Sequence, residues 1–376
     1  MKRSWLIVLA AVAALGAFTV FAASTSATMR GGDELRLGCG GSKLTVTRVD
    51  TKTIVAKCVA LPTSTAPTAT PTRTAPATAT PTRPAPATAT PTRTPSSTSA
   101  PTLGGCQVFP ANNSWNQDIS SAPLHANSAN YIASINATSR FLHADFGSNP
   151  SYGIPFVVVP STQAKVPITF TAYGDESDPG PYPVPLTGPV EAGGDHHVLV
   201  LQQGACKLYE LYGAVRNTTG WNADSGAVFD LSSNALRPDY WTSADAAGLP
   251  ILPGLVRYDE VKSGKITHAL RVTVDATQRG FIHPATHFAS GSTNASLPPM
   301  GLRLRLKAGY DISGFTGDAR VILEAAKTYG LIVADNGSSW FITGGTDGRW
   351  NDTDLDQLKT VPGSAFEAVD TGPIIR

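Results

Sequence analysis

The runs HHVLVL (His196–Leu201) and KLYELY (Lys207–Tyr212) decide the fold class of this chain. Each is built from β-branched, aromatic or alternating apolar residues, the composition of a pleated and largely covered strand. Four more runs of the same kind lie around them, at Gly153–Val159, Val166–Ala172, Ile266–Val274 and Gly301–Lys307, bounded by Gly, Pro, Asn and Asp. Helical periodicity is scarce. The segment from Asp318 to Tyr329 predicts one amphipathic helix, with an acid in its first turn, Lys327 in its last and Gly330 just beyond. It leads into a strand at Leu331–Ala334, Tyr131–Ile135 predicts a weaker helix, and Ser243–Gly248 predicts a single capped turn. The expected architecture is mainly β: one large sandwich of the jelly-roll kind with one or two helices, spanning 104–376.

Outward from this domain the composition changes abruptly. Three near-copies of a ten-residue unit (TATPTRTAPA, TATPTRPAPA, TATPTRTPSS) run from Thr68 to Ser97. Such a Thr/Pro tract holds almost nothing to bury, so 61–103 is expected to be an extended, disordered linker. Before it, residues 30–60 form a small β module, expected to be stapled by Cys39 and Cys58. Lys2 and Arg3 precede an apolar run from Trp5 to Ala23 and then small residues, the order of a secretory signal peptide over 1–27. An uncleaved membrane anchor is the competing reading. Export to an oxidising compartment makes the four cysteines disulfides, the second being Cys106 with Cys206.

Charge narrows the partners. Residues 1–103 carry 11 Lys/Arg against 3 Asp/Glu, leaving 18 against 25 for 104–376, a balance of −7. A mildly acidic domain is poorly suited to general nucleic-acid binding, which rests on neutralising phosphates. An extracellular polysaccharide or cell-surface glycan is the expected partner, with the membrane involved only if the signal segment stays in place.

Candidate chemistry is carried by inward polar residues. Glu210 shares a strand face with Leu208 and Tyr212, and His268 alternates with Leu270 and Val272, so both are expected to point inward, with Arg271 on the opposite face. His196 and His197 must likewise face opposite sides, so only one can reach a shared site. The expected catalytic set is Glu210, His268, Asp195, His196 and Tyr258, with Glu210 as acid or base and His268 as proton acceptor. Trp221, Tyr240 and Trp241 are expected to line the groove as aromatic platforms, and Arg271 to contact substrate. A metal site drawn from His143, Asp145, His283 and His287 is an alternative. No cofactor is expected, although the acidic loops at Asp175–Asp178 and Asp347–Asp356 offer ligands that Ca²⁺ prefers; the second also reads as a helix N-terminus. Arg303, Arg305 and Lys307 share one strand face, either as a row of cations for a polyuronate or as a solvated surface. There is neither a Gly-rich phosphate loop after a strand nor a G-x-S-x-G elbow.

Residues 106–370 resemble a family of exported bacterial proteins, through the phrases His143-Ala-Asp-Phe-Gly, Trp241-Thr-Ser-Ala-Asp-Ala-Ala-Gly-Leu-Pro, Val256-Arg-Tyr-Asp-Glu-Val, His268-Ala-Leu-Arg and Ala334-Asp-Asn-Gly-Ser. The resemblance brings no catalytic roles with it. The order of signal, small module, Thr/Pro linker and large domain resembles the layout of secreted polysaccharide-active enzymes. The expected function is therefore a secreted hydrolase or lyase of polysaccharides, with a non-catalytic glycan-binding or surface-attachment protein and an extracellular metal-dependent hydrolase as alternatives.

Overall fold

A computed structural model describes residues 100–136 and 140–376, together with the backbone of 6–7, 43–48 and 53–59. The chain divides into two compact units, Met1–Pro91 and Thr92–Arg376. In the first, Lys43–Arg48 and Thr53–Val59 pair antiparallel, as the alternation of apolar and polar residues predicts, and Leu6–Ile7 runs parallel to the second strand. The strand expected at Glu34–Gly38, the Cys39 end of the first disulfide and the cleavage region all lie outside the described residues. Among the described residues no helix is long and apolar enough to cross a membrane.

The second unit is mainly β, with several sheets and few helices. One sheet contains β1 (Phe156–Val159), β2 (Val198–Gln202), β3 (Lys207–Tyr212) and β4 (Ser225–Asp230), in the order β4-β3-β2-β1. Every residue of β2 is buried because the sheet separates two cores. Leu199, Leu201 and Leu208 join the larger hydrophobic cluster on one face; Val198, Val200, Tyr209 and Leu211 pack with Tyr182 and Trp221 on the other. A strand covered on both sides reads as a continuous apolar run, which is how β2 looks in sequence.

The other large sheet contains β5 (Leu270–Val274), β6 (Arg303–Leu306), β7 (Leu331–Asn336), β8 (Phe341–Ile342) and β9 (Phe366–Val369). Its order is β9-β6-β7-β5-β8, closed at the far edge by the two-residue strand His143–Ala144. The pairing is mixed: β5 runs parallel to β7 and antiparallel to β8. The long helix appears where the sequence places it, as Gly317–Thr328, and Ser128–Ile135 supplies the other. Gly330, at φ +70°, turns the chain from that helix into β7, and a Cβ there would sit 2.3 Å from the Leu304 carbonyl oxygen. Only glycine meets both demands. Two short helices, α1 (Tyr258–Lys262) and α2 (Asp352–Asp356), complete the elements used below. The Cys106–Cys206 disulfide forms, tying the start of this unit to the connection between β2 and β3.

Candidate functional site: a carboxylate ring around Arg271

Arg271 is the second residue of β5, buried, with a guanidinium that reaches three other parts of the fold. It donates through Nη2 to Asp245 Oδ1 at 2.7 Å and to Asp335 Oδ2 at 3.3 Å, and through Nη1 to Thr343 Oγ1 at 2.9 Å. The sheet explains the gathering. Asp335 is on β7 and Thr343 follows β8, the two strands that flank β5. Asp145 follows the edge strand, held by its amide on the Ile342 carbonyl at 2.8 Å. Asp245 comes from the 243–248 turn, where its amide takes Ser243 Oγ at 2.9 Å.

An imidazole–carboxylate pair closes the ring from the first sheet. His197, just before β2, sets Nδ1 2.6 Å from Glu191 Oε2 and Nε2 3.0 Å from the Ala244 carbonyl oxygen. Both neighbours are acceptors, so only the imidazolium can donate to both. Burial opposes that charge, but the hydrogen bond and charge of Glu191 outweigh it and the His197 pKa is raised. Glu191 moves the other way: despite burial, His197 holds its pKa below the ordinary carboxylate value.

Asp245, Asp335 and Asp145 are pushed upward. Burial raises Asp245 to about 6 against the pull of Arg271, and its Oδ2 has no hydrogen-bond partner. Asp335, half-buried at the rim, is raised by burial with Arg271 opposing. Asp145 keeps an open face to solvent, yet the protein packed around its carboxyl raises its pKa as well. Asp195 is exposed, and its charge acts on His197, Asp335 and Tyr212. One small region thus holds five carboxyl groups, one guanidinium and one imidazole, with ionisation displaced in both directions. Such a set can donate a proton from one group while another stays ionised.

The sequence-expected residues divide between this ring and other places. Arg271 is the hub of the ring, and Asp195 stands at its edge. His196 is exposed at φ +49°, and its neighbour His197 is the one turned inward. Glu210 points inward as expected, but it is 0 % exposed and its oxygens accept the amides of Ile251 and Leu252 at 2.9 Å. It ties down the start of the 251–254 turn and presents no surface to solvent. His268 is also inward, at 1 % exposure, in the bend before β5 rather than within it. Its Nε2 meets Glu260 at 3.1 Å and Arg257 at 3.0 Å, away from the ring. Tyr258 opens α1 and carries Arg349 4.1 Å above its ring.

The aromatic platforms separate too. Trp221 is 0 % exposed, packed in the smaller core, so it cannot stack on a sugar. Trp241 is half-buried beside Arg237, and Tyr240 is 46 % exposed. Arg303 and Arg305 are neither a cation row nor a solvated surface. Both are buried, Arg303 on the carbonyls of Tyr329 and Ser114, and Arg305 on Glu367 and the carbonyls of Ile119, Ser120 and Ala122. His143 stacks on Phe341, His283 pairs with Asp239 at 2.8 Å and His287 stacks on Phe288. Among the described residues no three His, Cys, Asp or Glu side chains are grouped to hold a metal ion. The second acidic loop is a helix start, with Asn351 capping α2 through the amides of Thr353 and Asp354.

Glu191, His197, Asp245, Asp335 and Thr343 are missing from the sequence-expected set. For His197 the signal was present, since only one of the two adjacent histidines can face inward. Asp335 ends an apolar run and Asp245 sits in the small-residue stretch after Trp241, but neither position alone says that Arg271 lies between them. Comparison of the chain with protein-family models, curated proteins and solved structures gave no match.

Proposed function

We propose that this protein is a secreted hydrolase of polysaccharides whose acid–base chemistry runs at the carboxylate ring around Arg271. One observation carries the reading: within one cluster, Asp335 stands 3.3 Å from Arg271 Nη2 with its pKa raised by burial, while Glu191 stands 2.6 Å from His197 Nδ1, which holds its pKa down despite burial. Glycosidic hydrolysis needs this division of labour, one carboxyl group to protonate the leaving oxygen and another, ionised, to act on the opposite side of the bond. Asp335 is the proposed proton donor, with Asp145 as the nearby second raised acid. Glu191, ionised and paired with His197, is the proposed base. Arg271 is a positioning residue that fixes Asp335 and Asp245.

Release of reducing ends from a panel of polysaccharides tests this, with absorbance of unsaturated uronate products separating hydrolysis from elimination. Asp335→Asn keeps the shape of the donor and removes its proton, so it should lower the rate by a factor of about 10² or more. Activity unchanged in Asp335→Asn and in Asp145→Asn removes the ring from the mechanism. A second reading, a non-catalytic glycan-binding module, draws support from exposed Tyr240, whose ring stands edge-on to Phe281 and Phe288. It predicts saturable glycan binding with no bond cleavage.

A further inference from the structure

A groove of ≈ 690 Å³ lies beside α1, bordered by 345–349 and by residues 100–103. That volume falls within the range of about 300–1,000 Å³ usual for small-ligand sites. No member of the Arg271 ring lines it.

The acids of this groove are already engaged. Glu260 is held by Arg257 and His268, and Asp347 and Asp259 both pair with Arg349. Arg257, buried, is committed as well, giving Nη1 to the Leu252 carbonyl and Nη2 to Glu260. One donor of the groove wall is not. Lys265 is exposed on the groove wall, and its ammonium has no carboxylate partner among the described residues. Lys265 and Thr267 both line the groove, while Ile266 between them is buried in the core at 2 % exposure. The uncommitted polar capacity of the groove wall is therefore a cation beside the Thr267 hydroxyl. Hydroxyl side chains donate and accept, as sugar hydroxyls do, and an ammonium selects a carboxylate.

From this we infer that the groove binds an acidic oligosaccharide, with Lys265 on the carboxylate of a uronate unit and Thr267 on a neighbouring hydroxyl. The inference rests on the glycan reading of the domain but not on the Arg271 ring as catalyst. Titration calorimetry of the full chain with tetragalacturonate, its carboxyl-reduced neutral counterpart and a tetraglutamate peptide tests it. Tetragalacturonate should bind saturably, and both other probes at least about tenfold more weakly. Lys265→Glu should weaken tetragalacturonate by about tenfold or more and Thr267→Val by a few-fold, with unfolding midpoints unchanged since neither side chain is buried. Asp335→Asn should bind like the native chain. Absence of saturable binding, equal affinity for the reduced sugar or the peptide, or indifference to Lys265→Glu overturns the inference. Tetragalacturonate binding without cleavage of any polysaccharide removes the hydrolase proposal and leaves this site standing. Cleavage of neutral polysaccharides without tetragalacturonate binding does the reverse.

Discussion

Glu210 gives this fold an unusual dependence on pH. Burial, against the amides of Leu252 and Ile251, raises its carboxyl from 4.5 to about 7. At about 1.4 kcal/mol per pH unit, ionising it in place costs roughly 3 kcal/mol. The folded state therefore binds a proton that the unfolded chain has released between pH 4.5 and 7, and stability falls as pH rises through that window. Asp245, raised from 3.8 to about 6, acts in the same direction over its own window. His197 adds to it, because its raised pKa gives stability that is present below 6.5 and lost as pH rises through the folded value. Glu260 acts oppositely: burial would raise it, but Arg257 and His268 lower it from 4.5 to about 2, so its contribution is present above 4.5 and lost as pH falls toward 2. Together these groups place the stability maximum close to pH 4.5. Glu210→Gln isolates the largest part, since the amide keeps the shape and one acceptor oxygen but never ionises. Guanidinium unfolding of both proteins from pH 4 to 8 should show the Glu210→Gln variant gaining roughly 3 kcal/mol on the native chain between about pH 4.5 and 7.5. A difference that stays constant with pH, or one that grows in favour of the native chain, refutes the reasoning.

Two further predictions concern the frame that holds the site. Cys106→Ser with Cys206→Ser opens a link spanning a sequence separation of 100 and should lower stability by up to about 4.7 kcal/mol in the chain-entropy account, read as the shift in denaturant midpoint at constant slope. Gly330→Ala should cost more than about 1 kcal/mol, because it combines a left-handed backbone with a collision against Leu304; calorimetry showing an unchanged midpoint contradicts this.

Much of the frame was legible because it obeys short periods. KLYELY is a strand with the bounds its alternation gives, and its inward acid is inward. The 317–328 helix carries its own signals at both ends. The site was less legible for a physical reason. Asp145, Glu191, His197, Asp245, Arg271 and Asp335 are brought together by strand neighbours distant in sequence, and no local pattern encodes which strands will lie side by side. Alternation says that only one of His196 and His197 faces inward but not which: β2 starts at Val198, and it is His197 that is buried while His196, at φ +49°, stands exposed. Arg303 and Arg305 mislead in another way. Cations alternating with leucine look like a wet face, yet here the guanidiniums replace water by binding carbonyls of the 114–122 segment and the one just past the long helix. α1 was hidden because five residues hold too little periodicity to mark a helix.

The central claim is that the ring around Arg271 moves protons during cleavage of a glycan. Its most direct test is the initial rate of reducing-end release as a function of pH, for the native chain and for Asp335→Asn, on whichever polysaccharide the native chain cleaves. The account predicts that the native rate falls on the alkaline side, as the proton donor ionises, and that Asp335→Asn is slower by about 10² or more at every pH. Equal rates for the two proteins, with the same pH profile, contradict it.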